Sequence, residues 1–202
     1  MNNEFSLFCN SVNTPLMVFT LSAYNKIVSL VGSIAPESGG LLMGYESDFI
    51  VRDFIFDYNA QRTNSSYTLN VDYLNVAIAE YWNKSGMSVL GFLHSHPLPY
   101  NRLSSPDVSY FKKMFPFMPR PYYLTPIVFT IPENRLFEIH GYIVPNQKKT
   151  PLSAQVLVIP DEFHSTIKVK WGFSAMFKRR KRRGYENDQK STMIKLTGVD
   201  ND

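Results

Sequence analysis

The sequence predicts an α/β layer structure with a mixed sheet, on three observations. Apolar residues make up 44% of the chain and aromatics 14%, enough for a real core. Fifteen Phe and twelve Tyr favour strands over a helical bundle. After a first short apolar run, stretches with helical spacing alternate with strand-like runs in the order helix, strands, helix, strand, helix, strands.

Residues 16–20 (LMVFT) read as the first strand. Ser22 is the expected N-cap of a helix whose apolar face is Tyr24, Ile27, Val28, Val31 and Ile34, ended by Pro36. Residues 40–45 and 49–56 read as two strands, and residues 59–66 as a polar loop. Asn70 is the expected cap of a second helix, in which Val71, Leu74, Ile78, Tyr81 and Trp82 share a face and which Lys84, Ser85 and Gly86 stop. Residues 89–93 suit a buried strand, and residues 94–103, with two prolines, a loop. Residues 105–114 predict a third helix with Pro106 at its start. Pro116, Pro119, Pro121 and Pro126 mark an irregular stretch. Residues 123–131 and 135–144 read as a hairpin around Pro132, Glu133 and Asn134. Beyond Pro145, residues 155–159 and 166–171 are candidate strands. The charged residues from Lys178 onward predict a disordered tail.

The net charge is +4, but Lys178, Arg179, Arg180, Lys181, Arg182 and Arg183 form one basic run that exceeds it. The rest of the chain is acidic on balance, so nucleic-acid binding can rest only on that run, whose alternative reading is a solvated tail. The run lacks an amphipathic helix for a membrane surface. Cys9 is the single cysteine, so no internal disulfide forms and the expectation is an intracellular, cytoplasmic protein. Residues 1–10 lack the pattern of a secretory signal. The most apolar stretch, residues 15–34, is interrupted by Asn25 and Lys26 and makes a poor membrane span. Cys9 has no histidine near it in sequence, which weakens a cysteine-hydrolase reading, and neither H-E-x-x-H nor a P-loop lysine motif occurs.

The chemistry concentrates around His94-Ser95-His96-Pro97. In an extended chain, residues i and i+2 point to one side, so two imidazoles can converge on a metal. Asp107 lies at the start of the third helix and offers a carboxylate. Two histidines and a carboxylate form a common catalytic zinc set with one position left open. Other readings stand beside this one. An H-x-H is also a plain polar pair, and Ser104-Ser105-Pro106-Asp107 fits a capping box. Glu37, in Pro36-Glu37-Ser38-Gly39-Gly40, is either a general base or a solvated loop acid.

These residues together resemble the JAMM (MPN-plus, JAB-type) zinc metallopeptidases. Glu37, Gly40, Leu42 and Gly44 match the family's E-x-x-G-x-L-x-G, and His94, Ser95, His96 and Pro97 match its H-[S/T]-H-P. Ser104 and Asp107 match its S-x-x-D at the family's spacing. The resemblance extends to the element order from Leu16 to Val144.

The resemblance implies a mixed, mostly antiparallel curved sheet flanked by helices, layered as in JAB/MPN domains and cytidine deaminases. It implies one zinc ion on His94, His96 and Asp107, with water completing the set, Glu37 as general base and Ser104 as donor to the oxyanion. The implied substrate is the bond after the C-terminal tail of ubiquitin or a ubiquitin-like protein, in a conjugate or a precursor. A sulfur-carrier precursor or a small adduct is the alternative substrate. Candidate walls of the substrate groove are residues 59–66 and 115–126. The implied organisation is a metallopeptidase domain over residues 1–145, an extension of strands packed on it over 146–177, and the basic tail over 178–202. The sequence does not reveal an oligomeric state.

Overall fold

A computed structural model describes residues 14–31, 37–63, 66–97, 100–114, 120–131, 136–146 and 150–162. The elements are β1 (Leu16–Thr20), α1 (Leu21–Val31), β2 (Gly39–Gly44), β3 (Ile50–Phe56), β4 (Gln61–Thr63), β5 (Ser66–Thr68) and α2 (Val71–Ser85). They continue as β6 (Ser88–His96), α3 (Ser105–Met114), β7 (Tyr122–Leu124), β8 (Ile127–Ile131), β9 (Leu136–Pro145) and β10 (Leu152–Ile159).

Eight strands form one sheet in the order β10-β1-β3-β2-β6-β7-β9-β8, and β4 pairs with β5 separately. Additional pairings of β10 with β9 and of β6 with β8 close the sheet on itself. β1 runs parallel to β10 and β3, and β6 runs parallel to β7 and β8; the other ladders are antiparallel. This is the expected mixed sheet flanked by helices.

Strand alternation divides the core between the two faces. Leu42 of β2 packs with Met17, Phe19 and Phe54, beneath Ala23, Ile27 and Val31 of α1. Its neighbours Leu41 and Met43 face the other way, toward Leu74 and Ile78 of α2 and Phe111 and Met114 of α3. Each such side chain contributes roughly 1.5–3 kcal/mol relative to exposure. Asp53 of β3 ties the two helices together, accepting from Lys26 Nζ and from the Tyr81 hydroxyl, each at 2.7 Å.

The ends of α2 follow the sequence. Asn70 Oδ1 accepts from the Tyr73 N–H at 2.9 Å, and Gly86 takes φ 67° while its N–H donates to Trp82 O at 2.9 Å.

Other elements differ from expectation. The helix cap is Thr20, whose Oγ1 accepts from Ala23 N–H at 3.4 Å. Ser22 lies inside α1 and donates from both N–H and Oγ to Asp161 Oδ1, at 3.1 and 2.8 Å. Trp82 is 48% exposed, because the buried stripe of α2 is Leu74 and Ile78. Residues 61–63 and 66–68 pair as antiparallel strands β4 and β5 instead of forming a plain polar loop. The expected strand over 123–131 is two strands, broken at Thr125 and Pro126, and both align on β6 and β9. β10 starts at Leu152 and joins the same sheet as β1 and β9. Ile34, Pro36, the turn at residues 132–135, the candidate strand 166–171, Cys9 and the basic run lie outside the described residues. No described helix is long and apolar enough to cross a membrane.

Candidate metal centre

β6 is buried along its whole length and continues through His96, so His94 and His96 stand on a strand and not in the expected loop. His94, Ser95 and His96 pair with Ile127, Val128 and Phe129 of β8, and His94 also pairs with Gly39 of β2. The β2–β6 register shifts between Leu42, opposite Gly91, and Met43, opposite Val89. The extra residue, Leu90, resets the alternation, so that Val89 and Phe92 both face α2 and α3 while Leu90 and Leu93 face the α1 side. Counting on from Phe92, His94 and His96 fall on the α3 face and Ser95 on its reverse.

Gly39 permits the close approach of β2. A Cβ there would overlap the Leu93 carbonyl oxygen and lie 3.0 Å from both His94 Cα and Tyr67 Cε1.

α3 brings the carboxylate. The Ser104 N–H and Oγ donate to Asp107 Oδ2 at 2.6 and 2.7 Å, and the Asp107 N–H donates to Ser104 Oγ at 3.2 Å. This reciprocal arrangement is a capping box. The same carboxylate also faces the histidines, with Oδ1 3.3 Å from His94 Nε2 and Oδ2 3.3 Å from His96 Nε2. Cap and ligand geometry therefore coincide in Asp107.

The two Nε2 atoms lie 2.8 Å apart. A tetrahedral ion with bonds of roughly 2.0–2.1 Å separates its ligand atoms by roughly 3.3–3.4 Å. The two histidine–carboxylate spacings match that value, and the histidine–histidine spacing is slightly tighter. Donor chemistry also fits: two imidazoles and a carboxylate, all within 4.8 Å of one another. His96 Nδ1 lies 3.2 Å from the Tyr100 carbonyl, which can only accept, so the ring proton sits on Nδ1 and leaves the Nε2 lone pair for a metal. The residues present fit a zinc ion.

Glu37 is 8% exposed at the entry to β2, not a solvated loop acid. Burial raises its carboxyl above the usual range; the imidazoles of His96 and His94 pull it down and Asp107 pushes it up, which places all three within its electrostatic reach. Burial would also raise Asp107, but hydrogen bonds from His94, His96 and Ser104 hold it well below the ordinary carboxylate range. Burial would lower His96, but its contact with Asp107 leaves it raised.

Of the expected groove walls, residues 59–63, 66 and 120–126 are described, and the second leads into Ile127, which pairs with His94. Tyr67 of β5 packs its ring against Gly39 and donates to Asp57 Oδ2 at 3.3 Å, bringing β5 against the start of β2. Arg120, from the proline-rich stretch, instead donates to Glu46 Oε1 at 2.7 Å and Ser88 Oγ at 2.8 Å, at the opposite end of β6 from the histidines. Sequence reasoning missed the Tyr100 carbonyl, a backbone atom with no residue signature. It also left Ser95 without a defined contact: its Oγ accepts from the Ser38 N–H at 2.9 Å.

No protein-family model matches the sequence, and no curated protein matches it. Solved structures do. The chain is similar to protein DSY2949 from Desulfitobacterium hafniense, with TM-score 0.57 and 17% identity, over 74% of this chain and 97% of that one. It also matches AF2198, a JAB1/MPN domain protein from Archaeoglobus fulgidus, with TM-score 0.39 and 20% identity, over 70% of this chain and 99% of that one. The superposition on AF2198 is too loose to carry weight. The likeness to DSY2949 speaks for the fold alone, a mixed α/β domain with a large sheet flanked by helices.

Proposed function

We propose that this chain is a JAMM-type zinc isopeptidase or peptidase, which hydrolyses the bond after the C-terminal tail of ubiquitin or a ubiquitin-like protein. One observation carries the reading: the donor atoms of His94, His96 and Asp107 converge on one point, at the end of β6 where Gly39 pairs with His94 two residues after the buried Glu37. The motif spacing supports it, since His94, His96, Ser104 and Asp107, which match the family pattern, meet in space.

When bound, zinc supplies an acidified water and polarises the scissile carbonyl. The Glu37 carboxylate takes the proton of the attacking water and delivers it to the leaving amine. Asp107 is held in place by Ser104 and keeps its charge for the metal. Ser104 donates to the developing oxyanion by turning its hydroxyl away from Asp107 Oδ2. The substrate tail lies extended along β4 and β5, where Tyr67 packs against Gly39.

Two substrates test the reading: a lysine-linked ubiquitin dimer and a ubiquitin precursor with a C-terminal extension, each incubated with zinc-loaded protein, with and without a chelator. Cleavage at the tail that the chelator stops and zinc restores is the expected result. Cleavage of neither substrate would contradict ubiquitin as the partner, and cleavage indifferent to the chelator would contradict a metal mechanism.

A further inference from the structure

We propose that Ser95 is a positioning residue for Glu37, its hydroxyl holding the peptide group that joins Glu37 to Ser38. The proposal rests on the hydrolase reading above. The β2–β6 ladder pairs residue by residue down to Gly39 opposite His94. One step further, Ser95 N–H donates to the Ser38 carbonyl at 2.8 Å, and the Ser38 N–H donates back to Ser95 Oγ at 2.9 Å. Ser38 and Ser95 are both fully buried, so water does not compete for these bonds.

The second bond fixes Glu37. The Ser38 N–H belongs to the same planar unit as the Glu37 carbonyl. Anchoring it sets the Glu37 ψ angle, the torsion next to the Cα that carries the carboxylate. A general base must stay within one hydrogen bond of the proton that it takes. Ser95 lies between the two metal-binding candidates in sequence but on the reverse face of β6. Removing its hydroxyl therefore loosens the base and leaves the His94–His96–Asp107 face of the strand in place. The backbone bond from Ser95 N–H to the Ser38 carbonyl survives a side-chain change.

The test compares the full chain, loaded with zinc, as native protein and as Ser95→Ala, Ser95→Thr and Glu37→Gln. It measures zinc content, amide exchange at Ser38 by NMR, and kcat and KM on ubiquitin carrying a C-terminal aminocoumarin. In Ser95→Ala, zinc content should stay native, the Ser38 amide should exchange about tenfold faster, and kcat should fall about 10- to 100-fold with KM changed less than about twofold. Ser95→Thr, which keeps the hydroxyl, should restore slow exchange and kcat together.

Native kcat in Ser95→Ala would overturn the proposal. Unchanged exchange at Ser38 would do the same, as would loss of zinc along with activity, since the hydroxyl would then support the ligands and not the base. Glu37→Gln separates the two claims. Native turnover in that variant removes the hydrolase reading itself, whereas an inactive Glu37→Gln beside an unimpaired Ser95→Ala removes only this proposal. If native protein leaves the probe uncleaved, ubiquitin is rejected as the partner, and the exchange and zinc measurements still decide the clamp.

Discussion

The rings of Phe92 and Phe111 meet with centroids 6.0 Å apart and planes tilted by 35°, next to the ligand cluster in both chain segments. Phe92 precedes His94 by two residues on β6, and Phe111 follows Asp107 by about one turn of α3. This contact sets the distance between the strand that carries the histidines and the helix that carries the carboxylate. Phe111→Ala should cost about 3–5 kcal/mol of stability and weaken zinc binding, and Phe111→Leu should do both to a smaller degree. Denaturant unfolding with a parallel zinc titration checks this. Native zinc affinity in folded Phe111→Ala would mean that other contacts place α3.

Ser104 has two roles to separate. As the N-cap of α3, it should cost about 0.5–2 kcal/mol of stability when changed to Ala. As oxyanion donor, its loss should lower kcat by about 10²–10³ at saturating zinc. Unfolding midpoints and turnover, measured on the same preparation, distinguish them. A destabilised variant with native kcat would leave Ser104 as a cap alone.

Gly39→Ala should be harmful although the change is one methyl group. The new Cβ meets the Leu93 carbonyl, a backbone atom that cannot swing aside. β2 must part from β6, and Tyr67 must give way as well, at a cost of about 1–3 kcal/mol. Thermal unfolding and zinc titration read this, and a variant with native values for both would contradict the described packing.

The pH dependence should reverse sign with zinc. In the metal-free chain, burial would lower His96, but its hydrogen bond to Asp107 raises it above the ordinary value of 6.5. A raised folded pKa contributes stability that is complete below the unfolded value and is lost as pH rises through the folded one. Zinc needs the neutral ring, so its affinity should rise over that same interval. Melting temperatures should therefore fall as pH rises above 6.5 in chelator and hold or rise in excess zinc. Parallel curves would contradict the assignment of His96.

How far the sequence was legible depended on where the physics was local. α3 was readable because Ser104, Pro106 and Asp107 carry their own capping instructions. Asn70 and Gly86 likewise bounded α2. β4 and β5 escaped because Gln61, Arg62 and Thr63 face Thr68, Tyr67 and Ser66 with no apolar alternation. His94 to His96 looked like a loop because of the nearby prolines, yet its pairing with β2 and β8 makes it a strand. The bulge at Leu90 decides which face the histidines take, and it exists only in the register with β2. Trp82 followed the helical period yet is largely exposed, since the α2 contact reaches only as wide as Leu74 and Ile78.

The central claim is a zinc site served by Glu37, and paired measurement of zinc content and turnover in native protein and Glu37→Gln tests it most directly. The account predicts about one zinc per chain in both and cleavage only in the native protein. Turnover retained by Glu37→Gln, or freshly purified native protein without metal, would contradict it.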